Sequence, residues 1–99
     1  MIFDNISNRI KDSCERNGVS KLFAFGSAVT NSLKDDSDID FIVEIAEKDP
    51  IKYADHYFHL KDELLKIFSR NIDLLEENKI SNPYLKSKIE KTKKLLFCL

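Results

Sequence analysis

The amino-acid sequence predicts a small mixed α/β (α+β) domain. The expected architecture is a three-stranded mixed sheet with helices on one face, in the order α-β-β-α-β-α. Three observations predict it. "KLFAF" at 21–25 is an almost unbroken apolar run, as in a strand buried between neighbours. "DIDFIVEI" at 38–45 alternates with a period of two. Around these runs, apolar residues recur at helical spacing in three further stretches. At 99 residues the chain fits one domain spanning 1–99. Such a domain buries only roughly two thirds of its unfolded surface, so an open cleft or a site shared with a partner is expected.

Each element has a local reason. Phe3, Ile6, Ile10 and Cys14 make the apolar stripe of a first helix, which Asn17-Gly18 stops. The strand "KLFAF" follows, and "GSAVTNSLKDDS" connects it to the next, with a short helical turn expected at Gly26-Ser27. In the second strand Ile39, Phe41, Val43 and Ile45 share a core face, while Asp38, Asp40, Ile42 and Glu44 share the other, which is expected to be open to water where it begins. Asp49-Pro50 reads as an N-cap with proline at the first helical position. The helix it opens is expected to direct Ala54, Phe58, Leu64, Leu65 and Phe68 to the core and to end near Ser69-Arg70. "NIDLL" is a third strand with Ile72 and Leu74 on one face and Asp73 on the other. Asn82-Pro83 opens a final helix with Leu85, Ile89 and Leu96 on one stripe.

The net charge of −1 conceals an uneven layout. Residues 35–49 hold seven acids and one lysine, whereas 86–94 hold five lysines and one glutamate. The acidic block argues against nucleic acid as a partner there, and no basic aromatic surface speaks for it elsewhere. The lysine block reads as a solvated helix face. Cys14 and Cys98 are too few and too far apart for a zinc site or a disulfide framework. They are expected to be reduced, in a cytoplasmic protein with no signal peptide and no membrane span. His56 and His59 lie three apart in the long helix but lack a third ligand, so a surface or helix-packing role is expected.

The chemistry lies in residues 26–40 and at Asp73. Asp38 and Asp40 are two apart on one strand face, so their Cα atoms should be about 6.6 Å apart. Carboxylates at that spacing can converge on two metal ions held about 3.5–4 Å apart. Asp73, on a neighbouring strand, would complete the set. Hard oxygen ligands favour Mg²⁺, which also binds substrate phosphates. Gly26 lets backbone approach a phosphate, and Ser27 adds a hydroxyl donor. Together they describe a phosphate cradle beside a metal-binding pair, the requirement of nucleotidyl transfer, with Asp73 placed to help deprotonate the attacking hydroxyl.

At Gly26-Ser27, ten intervening residues and Asp38-Ile39-Asp40, the sequence resembles the minimal nucleotidyltransferases of the polymerase-β-like superfamily. Ser37 fits the Ser-Asp-Ile-Asp form of that motif. "YFHLKDELLKIFSRNIDLL" resembles the following helix and third-aspartate strand, and "NPYLKSKIEKTKKLLF" the closing helix. The resemblance implies catalytic, metal-holding roles for Asp38, Asp40 and Asp73, and nucleotide-binding roles for Gly26, Ser27, Lys34 and Ser37. It implies two Mg²⁺ ions and transfer of AMP from ATP to a tyrosine of a partner HEPN-domain toxin, making this chain an antitoxin in a hetero-oligomer. The family's basic residue and second glycine after Gly-Ser fall at Thr30 and Asn31, leaving Lys34 as the substitute cation. Two other classes compete: an inactive relative that neutralises its partner by binding alone, and a subunit of a larger complex that modifies a small molecule or RNA.

Overall fold

The structure is a computed structural model, and it describes residues 6–26, 29 and 38–99. Helix α1 (Ser7–Arg16) leads into β1 (Val19–Phe25), then β2 (Ile39–Ile45), α2 (Pro50–Phe68), β3 (Ile72–Glu76), a 3₁₀ turn at Glu77–Lys79, α3 (Pro83–Thr92) and β4 (Lys94–Cys98). The strands form one mixed sheet in the order β3-β2-β1-β4. β1 runs antiparallel to both β2 and β4, and β3 runs parallel to β2.

The helix boundaries follow their caps. Gly18 adopts φ +64°, the left-handed geometry that stops α1. The Asp49 carboxylate accepts the Ile51 N–H at 2.9 Å, with Pro50 at the first position of α2. Asn82 Oδ1 does the same for Tyr84 N–H at 2.9 Å at the start of α3. α1 is tied to α2 by a two-pronged contact from Arg16 to Glu63, at 2.7 and 3.3 Å.

The main core lies between the sheet and helices α1 and α2. Ile10 and Cys14 from α1, Leu60 and Leu64 from α2, and Leu22, Ile39, Phe41, Val43 and Leu74 from the sheet are buried there. On α2 the core stripe runs through Tyr53, Tyr57, Leu60, Leu64, Ile67 and Phe68. This corrects the expected stripe: Phe58 is 64% exposed, Leu65 is 42% exposed and Ala54 is exposed. The tyrosines take the inward positions because each finds a polar partner, Glu76 for Tyr53 and the Leu74 carbonyl for Tyr57.

Two further expectations are corrected. The sheet has four strands rather than three, because residues 94–98 extend along the free edge of β1 instead of continuing α3. Lys93 caps α3 with extended backbone (φ −62°, ψ 139°), and Leu96 lies in the strand. The helices also cover both faces. α3 packs Ile89 against Phe25 and Ile42, with Phe23, Leu75, Ile80 and Leu85 around them. The second sheet face is therefore roofed by α3 where it carries Ile42 and Leu75. Among the described residues no helix is long and apolar enough to cross a membrane.

Candidate active site

The second sheet face carries the acids. Asp40 is the second residue of β2 and Asp73 the second residue of β3; the parallel register pairs them directly, as it pairs Ile39 with Ile72. Asp73 is exposed and Asp40 half-buried. Asp38 is exposed just before β2. On the other side of Asp40 the antiparallel register places Phe25, and Gly26 follows it.

Gly26 is fixed by conformation and by contact. Its φ is +74°, and a Cβ there would stand 2.9 Å from Asp40 Oδ2. Glycine thus brings the β1 bend against the carboxylate. Its N–H donates to Thr92 Oγ1 at 3.0 Å, and its carbonyl accepts the Val29 N–H at 3.1 Å. Ser27, Lys34 and Ser37, the remaining expected nucleotide ligands, lie outside the described residues.

The electrostatics centre on Asp40. Burial pushes its carboxyl above the usual range, the charges of Asp73 and Asp38 push it further, and Lys88 opposes them. A half-buried carboxylate beside further negative charge suits a bound cation. The donors are all oxygen, the set preferred by Mg²⁺. Among the described residues no three side chains of His, Cys, Asp or Glu stand close enough to hold a metal as a ready-made group. The fit therefore rests on the facing pair Asp40 and Asp73, with Asp38 two residues before Asp40.

An open groove of about 490 Å³ runs beside Asp73, lined among others by Tyr57, Leu75, Lys79, Asn82 and Leu85. Tyr57 braces its floor, donating its hydroxyl to the Leu74 carbonyl at 2.6 Å. Another cavity of about 470 Å³, between α2 and the segment after β3, contains none of the three aspartates. Lys88 and Thr92 are the residues that sequence reasoning passed over. Both lie in α3, four positions apart and hence on one helix face, within a lysine run that reads as solvated surface.

A family model described as "Polymerase beta, Nucleotidyltransferase" matches residues 8–99. The chain belongs to this nucleotidyltransferase family. A Methanocaldococcus jannaschii protein named "Putative protein adenylyltransferase" is 36% identical over 77 residues, covering 77% of this chain and 74% of the relative. Among solved structures, a chain from a toxin–antitoxin crystal structure with AMP-PNP superposes with a TM-score of 0.71 at 23% identity, covering 94% of this nucleotidyltransferase and 73% of that chain. A chain from the complex of tri-AMPylated Shewanella oneidensis HEPN toxin with MNT antitoxin gives 0.66 at 22% identity, covering 100% and 74%. These structural likenesses establish the minimal nucleotidyltransferase fold.

Proposed function

We propose that this nucleotidyltransferase transfers AMP from ATP to a hydroxyl, that of a tyrosine on a HEPN-type toxin partner, and so acts as its antitoxin. The observation that carries the reading is the register pairing of Asp40 with Asp73 beside the left-handed bend at Gly26. The names of the adenylyltransferase relative and of the AMPylated-toxin complex support the nucleotide and the acceptor class.

In this mechanism Asp38 and Asp40, with Asp73, would hold Mg²⁺. When bound, it would supply positive charge to the triphosphate and to the departing pyrophosphate. Gly26 admits a phosphate close to the backbone, and Ser27 donates a hydrogen bond to it. The acceptor oxygen, entering along the groove beside Asp73, attacks the α-phosphorus as the bond to pyrophosphate breaks. Its proton passes to the Asp73 carboxylate. The product is a phosphodiester between AMP and the acceptor.

Binding without turnover is the competing reading, favoured by Thr30 and Asn31 at positions where the family carries a basic residue and a glycine. Incubation with α-labelled ATP, Mg²⁺ and the HEPN-type toxin partner separates the two. Label should appear on that toxin and vanish with the Asp38→Asn, Asp40→Asn double variant. A double variant that still neutralises the toxin fully would make binding the whole activity.

A further inference from the structure

We propose that Lys88, reaching the Gly26 bend from helix α3, is the cationic contact that positions the polyphosphate of the nucleotide. This role rests on the nucleotidyl-transfer reading and deepens it by naming a residue outside the Gly-Ser and Asp-x-Asp motif.

The geometry is specific to this lysine. Lys88 Cε lies 4.0 Å from the position a Cβ would take on Gly26, on the side where Asp40 Oδ2 also stands. One helical turn later, Thr92 ties this part of α3 to the bend. Its hydroxyl accepts the Gly26 N–H at 3.0 Å and donates to the Lys88 carbonyl at 2.9 Å. The backbone that carries the lysine and the backbone that would cradle a phosphate are thus joined through one side chain. Ile89, the next residue, is buried against Phe25 and Ile42, which fixes the rotation of the helix.

The neighbouring Lys93 is already engaged, paired with Glu90 at 3.0 Å and lying over the Phe23 ring at 5.0 Å. Lys88 is exposed, and among the described residues it closes no salt bridge; its charge acts on Asp40 from a distance. A lysine is a compact charge on a flexible stem, suited to meeting a phosphate as a point cation. Once cations satisfy the aspartates, an ammonium at this position faces whichever anion they hold. It would supply the positive charge that Thr30 does not.

The test is equilibrium binding of AMP-PNP and of AMP, each with Mg²⁺, to the wild-type chain and to Lys88→Met and Lys88→Arg. Losing a charge-assisted phosphate contact should weaken AMP-PNP binding roughly ten- to a hundred-fold. AMP binding should change far less, and Lys88→Arg should recover most of the loss. Thermal melts of each variant check that the fold is retained. Equal weakening of AMP-PNP and AMP, or no weakening of either, overturns the role of Lys88 and leaves nucleotidyl transfer standing. A wild-type chain that does not bind AMP-PNP overturns both.

Discussion

Asp40 and Asp73 are the same step along two parallel strands, each preceded by an isoleucine whose side chain enters the core. Two Ile-Asp dipeptides in register thus make both halves of the carboxylate pair, and each buried isoleucine sets the outward direction of the aspartate after it.

Removing the Asp40 charge should stabilise the metal-free protein. Burial, Asp73 and Asp38 raise the folded-state pKa of Asp40 above its unfolded value, against the opposing charge of Lys88. The folded state then holds the proton more tightly, so the associated stability is fully present below the unfolded value, about 4, and is lost as pH rises through the folded value. Asp40→Asn should accordingly raise Tm at pH 7 without metal, and the gain should shrink as pH falls below about 4. A lower Tm at pH 7 would contradict this account.

Gly26→Ala should harm activity more than stability. The left-handed φ costs a non-glycine residue about 1–2 kcal/mol, to be read from urea unfolding. The added Cβ also meets Asp40 Oδ2 at 2.9 Å, and a carboxylate at the end of a side chain relieves that contact by swinging away. Labelled transfer should fall well beyond what the lost stability explains.

Ser13→Ala should be neutral or stabilising by up to about 1 kcal/mol. Ser13 is fully buried in α1, and its hydroxyl is without a hydrogen-bond partner among the described residues. Alanine removes that unsatisfied group and is the better helix former. Asn17 keeps its own contact, because it donates to the Ser13 backbone carbonyl at 2.8 Å. Chemical denaturation decides the sign.

The two thiols should differ sharply. Burial, helped by Glu63 and Glu15, pushes the Cys14 thiol up to about 12, whereas Cys98 is exposed on β4. Only the thiolate attacks a disulfide reagent. Native protein should therefore release one equivalent promptly from Ellman's reagent, abolished by Cys98→Ser, and the second only after denaturation. Prompt reaction of both thiols would mean that α1 opens readily.

The first three strands, the caps at Gly18, Asp49 and Asn82, and the outward direction of Asp40 and Asp73 were legible because each is written in local periodicity or a local turn residue. The parallel β2–β3 register that sets the two acids side by side joins strands separated by α2, and the sequence permits it without dictating it. β4 was not legible. "KLLFC" carries Leu96 at a spacing that continues the α3 stripe, and only the unpaired edge of β1, some seventy residues earlier, makes it a strand. Phe58 and Leu65 misled in the same way: their apolar character suggested burial, but the inward positions went to Tyr53 and Tyr57, whose hydroxyls find partners on β3. Lys88 was hidden among four other lysines of its run. Its distinction comes from Thr92 and Gly26, a contact across 66 residues.

That long-range contact also gives the site an order of assembly. A ribosome-bound chain stopping before Pro83 could already contain both Ile-Asp dipeptides and the glycine bend. It would still lack the threonine that holds the bend and the lysine above it. During synthesis the acids come first and their counter-charge follows, so the bend gains its threonine partner only once residues 83–98 have emerged.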